Sequence, residues 1–194
     1  MTTEEFKKIY DEYNKILSPI ITRMINDNFK FCQIDEKIKW SFGFDDNIGI
    51  MGTHDKKSNE IHMNILSCIH ARKMGRLFDI EYFIIHEMRH IFQNNIIKRF
   101  IAHEKTGVDV EIIEKWIYEQ DHYKSAVSSN GEENPEYFKQ DIEFDAYAFS
   151  YAVMKYNNKE VEKLWVPSLY MKEWKKYFQE TVDYWTNIFE KENL

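Results

Sequence analysis

Apolar residues recur at helical spacing over most of this chain, and at strand spacing in one shorter region. From Phe6 to Leu17 they return every three or four residues, which predicts an amphipathic helix. Ser18 and Pro19 then interrupt the pattern. Because proline suits the first turn of a helix, they predict a second helix that ends near Asn28.

The pattern changes over residues 29–65, where short apolar segments alternate with polar breaks. Ile61, Met63 and Ile65 alternate with polar residues, as in a strand that buries one face. The region therefore predicts a small, mostly antiparallel sheet of three or four strands. The segments assigned to it are 29–34, 38–44, 48–51 and 61–65.

The helical pattern returns after Gly75 and dominates the rest of the chain. Gly107 suits the end of a helix, whereas Pro135 and Pro167 suit the starts of helices. Residues 121–135 are rich in turn-forming residues and predict a loop. The predicted helices cover about 79–104, 109–120, 135–156 and 167–194.

Composition fits one folded domain over residues 1–194, since 43% of the residues are hydrophobic and 16% are aromatic. The formal net charge of −7 argues against nucleic acid or an anionic membrane as the main partner. No run approaches the roughly 20 apolar residues of a membrane helix, and the acidic N-terminus lacks the apolar core of a signal peptide. Two cysteines make no disulfide framework. We expect a soluble, cytoplasmic α+β domain whose small sheet packs on a helical layer.

Residues 86–90 read His-Glu-Met-Arg-His, an H-E-x-x-H motif inside a predicted helix. His86 and His90 lie about 40° apart around a helix axis, so both imidazoles can reach one metal ion. Glu87 lies about 100° from His86, where its carboxylate can take a proton from an activated water. The helix is apolar on almost every side, so these polar groups would be buried at a cost unless they had a partner. The alternative is a pair of hydrogen-bonded core histidines.

A third ligand is expected, because catalytic zinc sites use three protein ligands and keep one position for water. Glu143 shares a predicted helix face with Ala146 and Ser150, whose small side chains allow another helix to approach. Asp145 points about 160° away from Glu143, so both cannot bind one metal from a straight helix. Glu143 is thus the predicted ligand, with a solvated helix residue as the alternative. Asp145 is predicted to be a supporting residue, a cap or an ion-pair partner.

The H-E-x-x-H motif and the downstream helical sequence Glu-Phe-Asp-Ala resemble the gluzincin zinc metallopeptidases. The closest likeness is to small bacterial and phage forms of the minigluzincin or ImmA/IrrE-like kind, over about residues 60–155. The resemblance implies that His86, His90 and Glu143 bind one zinc ion and that Glu87 is the general base. It also implies a protein or peptide substrate, which would lie extended along the strand at 61–65.

The chain departs from this family's pattern in three ways. Arg89 occupies a motif position that is normally uncharged, where it is expected to pair with an acidic neighbour or enter the cleft. His90 and Glu143 are 53 residues apart, more than in ImmA/IrrE-like proteins, and the extra length forms an insert over about 105–135. Tyr147 stands where related patterns often have Asp or Asn.

A peptidase also needs a group that stabilises the negative charge developing on the substrate oxygen. His122, Tyr123 and Tyr137 lie in or beside the insert and have suitable donors, although each residue type more often packs or faces solvent. The loop at 121–135 is a candidate lid over the site.

Two other functions compete with a cytoplasmic zinc peptidase. One is a non-catalytic binding or regulatory module of the same fold, in which the metal is structural or absent and Arg89 fills or bridges the site. The other is a structural phage protein with a chance motif. A second metal site is disfavoured because the spacing of its candidate ligands matches no zinc pattern; they are His54, His62, Cys68 and His70.

Overall fold

The computed structural model describes residues 3–34, 36–126, 134–157, 168–192 and 194. These residues form helices and one small sheet, which confirms the predicted α+β class. The helices are α1 (Thr3–Asn28), α2 (Ile65–Lys73), α3 (Leu77–Ile101), α4 (Val110–Asp121), α5 (Asp141–Tyr156) and α6 (Ser168–Glu192). The strands are β1 (Lys39–Gly43), β2 (Gly52–Asp55) and β3 (Glu60–Asn64), and a short 3-10 helix covers Phe29–Phe31.

The chain divides into two compact units, Met1–Met88 and Arg89–Leu194, and the boundary falls inside α3. The first unit contains α1, the sheet, α2 and the first half of α3. The second contains the rest of α3 and the three helices that follow. The assignment of the whole chain to a single domain stays a prediction. No helix in the described ranges is long and apolar enough to cross a membrane.

Helix α1 is continuous, so the predicted break at Ser18-Pro19 is wrong. Leu17, Ile21 and Ile25 follow at intervals of four residues and are all buried, which gives α1 one uninterrupted apolar stripe. Burial of this stripe outweighs the backbone hydrogen bond that Pro19 cannot donate.

The sheet has the strand order β1-β3-β2, with β1 parallel and β2 antiparallel to β3. The expectation of a mostly antiparallel sheet therefore holds for one pair and is wrong for the other. β3 confirms the predicted strand near residues 61–65, but it is the middle strand. A peptide can add only to an unpaired strand edge, so the expectation that β3 forms the edge of a substrate cleft is wrong.

Asn64 explains why α2 follows β3 directly, where no helix was predicted. Its side-chain oxygen accepts a hydrogen bond from the Leu66 amide at 3.1 Å and caps α2. Its amide nitrogen donates to three carbonyl oxygens of the loop before β2, those of Asp45, Asn47 and Ile50. The strand predicted at 48–51 is wrong, because Ile50 is bonded to this side chain and not to another strand. The strand predicted at 29–34 is also wrong, since it begins with the 3-10 helix.

In the second unit, α4 confirms the helix predicted near 109–120, but α5 starts later than predicted. The sequence placed its start at Pro135, whereas residues 135–139 form turns and α5 begins at Asp141. The carboxylate of Glu119, at the end of α4, accepts hydrogen bonds from the amides of Asp141 and Ile142 at 2.7 and 2.8 Å. These contacts satisfy the amides that a helix start leaves unpaired. α6 begins at Ser168, and Pro167 lies outside the described residues.

We predict that Gly52→Ala destabilises the protein and that Gly43→Ala does not. A Cβ atom at Gly52 would overlap the carbonyl oxygen of His62 in β3 and lie 3.0 Å from the Phe83 ring. We expect the free energy of unfolding to fall by about 1–3 kcal/mol. A Cβ at Gly43 would meet no described atom within 4 Å, which makes it a matched strand control. Urea unfolding followed by circular dichroism measures both, and equal stabilities would contradict the close approach of β2 and β3.

Candidate metal centre

The three predicted ligands are close enough together to hold one metal ion. His86 and His90 lie one turn apart near the middle of α3, and Glu143 lies in the first turn of α5. One ligand atom from each of the three lies within 4.8 Å of the other two. Two imidazole nitrogens and a carboxylate oxygen are a donor set that suits zinc. Glu87 follows His86 on α3 and is buried as well.

Glu143 is 1% exposed, and its carboxylate accepts hydrogen bonds from two tyrosines. The Tyr123 hydroxyl donates to its Oε1 at 2.7 Å, and the Tyr137 hydroxyl donates to its Oε2 at 2.6 Å. His90 Nε2 lies 3.4 Å from the same Oε1. Hydrogen bonds to a carboxylate stabilise its charged form, which is the form that binds a metal.

Tyr137 remains a hydrogen-bond donor at neutral pH. Burial raises the pKa of its hydroxyl well above 10, and the nearby Tyr147 and Glu143 raise that pKa further. The hydroxyl is therefore neutral at neutral pH, and it donates a hydrogen bond to Glu143.

The Gln140 side chain bonds to the backbone of Lys124, the residue that follows Tyr123 in the insert. Its Oε1 accepts from the Lys124 amide at 2.8 Å, and its Nε2 donates to the Lys124 carbonyl at 3.0 Å. The same Nε2 donates to the Tyr137 carbonyl at 3.0 Å. One buried amide thus fixes the backbone beside both tyrosines. Residues 127–133 of the insert lie outside the described residues, so the role of loop 121–135 as a lid stays a prediction.

His122 lies at the exposed end of α4. Its Nδ1 is 2.9 Å from the Tyr118 carbonyl oxygen, and its ring stacks on the Tyr118 ring at 4.2 Å. Among the contacts of the described residues, none joins His122 to Glu143. Its role in stabilising an oxyanion stays a prediction.

Arg89, the unusual residue within the motif, pairs with Asp145 of α5. Its Nε and Nη2 donate to the two carboxylate oxygens at 2.8 and 3.3 Å. Its guanidinium also lies 4.3 Å from the centres of the Phe92 and Trp185 rings and 4.7 Å from that of Phe149. The residue is 3% exposed, so this charge is buried with both a counter-ion and aromatic faces around it. Arg89 was expected either to pair with an acidic neighbour or to enter the cleft. The structure shows the ion pair.

Gln93, Glu119 and Gln140 support the centre but were not identified from the sequence. Gln93 follows His90 by three residues, so it shares the helix face of the two histidines, and that spacing was an available signal. Its Oε1 lies 2.7 Å from His90 Nδ1. Glu119 and Gln140 bond mainly to backbone groups across a loop, and no periodic pattern marks such contacts.

The structure does not support a second metal site at His54, His62, Cys68 and His70, as far as the described residues show. His86, His90 and Glu143 are the cluster of possible ligands found among the described residues. Burial raises the pKa of the Cys68 thiol to about 12, which keeps it protonated at neutral pH. His62 instead lies 2.9 Å from Ser41, directly across the β1–β3 pair.

No protein-family model, curated protein or solved structure matches this chain. Its function must therefore be inferred from the motif, from the burial of its polar residues and from the contacts around Glu143.

We predict that Arg89→Met lowers the free energy of unfolding by about 3–5 kcal/mol, because it leaves the Asp145 carboxylate partly buried without its cation. Arg99→Met is the matched control on the same helix, since Arg99 pairs with Glu104 in an exposed setting. We expect a small loss there, because solvent screens exposed ion pairs. Urea unfolding of both variants checks the difference. Similar losses for the two would show that the Arg89–Asp145 pair is not the stronger contact.

Proposed function

We propose that this protein is a zinc-dependent metallopeptidase of the gluzincin type. The observation that carries the proposal is the group formed by His86, His90 and Glu143, whose ligand atoms lie within 4.8 Å of one another. Its histidines belong to an H-E-x-x-H motif, in which the glutamate can act as a general base. A chance motif would not require a carboxylate 53 residues downstream to be buried beside the second histidine.

In this proposal His86, His90 and Glu143 hold the ion, and Glu87 acts as the general base. A bound zinc ion lowers the pKa of a water molecule to about 7 and polarises a substrate carbonyl. The Glu87 carboxylate accepts a proton from the water that attacks the peptide carbonyl. Burial strengthens these charge interactions, because a low-dielectric site screens them less than water does.

We assign stabilisation of the oxyanion to Tyr123 in preference to Tyr137. Each hydroxyl has one proton, and both protons now point to Glu143. Tyr137 is buried, whereas Tyr123 is 45% exposed. Tyr123 can therefore redirect its proton to a substrate oxygen while Tyr137 continues to hold Glu143.

The resemblance to gluzincins supports a protein or peptide as the substrate, in a bacterial or phage setting. The composition supports a location in the cytoplasm. Both belong to the proposal, as does zinc as the metal. β3 is paired on both sides, so the extended substrate would have to lie elsewhere than along that strand.

We predict about one zinc ion per chain in the purified protein, and its loss in His86→Ala. Elemental analysis measures the metal, and chelation should lower the melting temperature because zinc binds the folded state. His70→Ala is the control, since His70 is exposed on α2 and belongs to no cluster of possible ligands among the described residues. A wild-type protein that contains no metal, binds no added zinc and melts at the same temperature with a chelator would refute the proposal.

We predict that Glu87→Gln abolishes peptide cleavage but retains zinc. Loss of a general base lowers the rate by about 10²–10⁴-fold, whereas glutamine keeps the shape of the side chain. Cleavage of a peptide library by wild type and variant, with zinc content measured in both, tests this. Wild-type rates in the variant would exclude Glu87 as the base. A protein that binds zinc but cleaves no member of the library would instead support the non-catalytic module.

A further inference from the structure

The contacts of Gln93 fix the orientation of its side-chain amide. Gln93 is fully buried on α3. Its Nε2 lies 2.9 Å from the Ile142 carbonyl oxygen and 2.9 Å from Asp145 Oδ2. Both partners can only accept, so the atom that faces them must be the NH₂ group. The carbonyl oxygen, Oε1, therefore points to His90 Nδ1 at 2.7 Å.

This orientation determines where His90 carries a proton. Since Oε1 of Gln93 can only accept, Nδ1 of His90 must donate and must be protonated. In the neutral ring the lone pair then lies on Nε2. That atom is 3.4 Å from Glu143 Oε1, so a cation placed between the two atoms would be attracted to both.

The orientation of Gln93 is itself supported by the Arg89–Asp145 ion pair. Asp145 Oδ2 accepts both from Arg89 Nε at 2.8 Å and from Gln93 Nε2 at 2.9 Å. The aromatic rings around the guanidinium limit its movement. Four side chains thus form a continuous series of contacts that ends at His90.

We propose that Gln93 is a positioning residue that keeps the proton of His90 on Nδ1 and so makes Nε2 the metal-binding atom. This inference rests on the proposed function in that it assigns a ligand atom of the same metal site. It adds a use for Arg89 and Asp145, which hold the amide of Gln93 in the orientation that His90 requires. Partners of this kind orient ligating histidines and typically change metal affinity by about 10–100-fold when mutated.

The test compares wild type with Gln93→Met, which keeps the length of the side chain but cannot accept from His90. In the metal-free protein with ¹⁵N-labelled histidine, we expect Nδ1 of His90 to be protonated in the wild type. In Gln93→Met the proton should move to Nε2, where Glu143 can accept it. His90→Gln assigns the signal by removing it. An unprotonated Nδ1 in the wild type would overturn the inference whether or not the protein binds zinc.

The second measurement is the affinity for Zn²⁺ by competition with a chelator. We expect Gln93→Met to bind Zn²⁺ about 10–100-fold more weakly than wild type. Ile96→Val, a conservative change at a buried position on the same helix, controls for general loosening of α3 and should bind as wild type does. Equal affinities for wild type and Gln93→Met would overturn the inference but leave the proposed function intact. A wild type that binds no Zn²⁺ would refute the proposed function, while the tautomer measurement would still decide the role of Gln93.

Discussion

Burial of the Glu143 carboxylate is the constraint on which the candidate site depends. A buried carboxylate is costly unless hydrogen-bond donors or a cation compensate for the lost water. Here two tyrosine hydroxyls donate to its two oxygens, and an imidazole nitrogen of His90 lies 3.4 Å away. The donors come from Tyr123 and Tyr137, which precede α5 in the chain. The backbone before α5 must therefore fold back so that both tyrosines reach Glu143 in the first turn of that helix. Residues 135–139 form turns that allow this, and α5 begins only at Asp141.

The same physical requirement governs Arg89. A buried guanidinium needs a carboxylate and enough hydrogen-bond acceptors, and Asp145 supplies both oxygens. Asp145 projects from α5 in a different direction from Glu143, so one helix can serve a metal site with one residue and an ion pair with the other. Gln93 joins the two, because it contacts both Asp145 and His90. Arg89, which departs from the motif usual in gluzincins, thus supports Gln93 beside the candidate ligand His90 and is not itself a candidate ligand.

The parts of the structure that could be predicted from the sequence are those set by helical periodicity. The spacing of His86 and His90, and the small residues beside Glu143, indicated the three candidate ligands. Contacts between distant residues could not be predicted in this way. Asn64 converts the end of a strand into a helix cap by bonding to a loop up to 19 residues away, and α1 continues through Pro19 because its buried stripe is continuous. Likewise, the parallel pairing of β1 with β3 depends on the path of the chain between them and leaves no local pattern.

The insert between His90 and Glu143 supplies contacts that support the buried carboxylate. The 53 residues between His90 and Glu143 depart from the shorter spacing of ImmA/IrrE-like proteins. Yet the groups that support the buried carboxylate lie within this stretch: Glu119 caps α5, Gln140 fastens the backbone, and two tyrosines donate to Glu143. A shorter connection would have to supply these donors from another part of the chain. The longer spacing is therefore consistent with a functional Glu143, since it contributes the hydrogen-bond donors that compensate for the burial of this carboxylate.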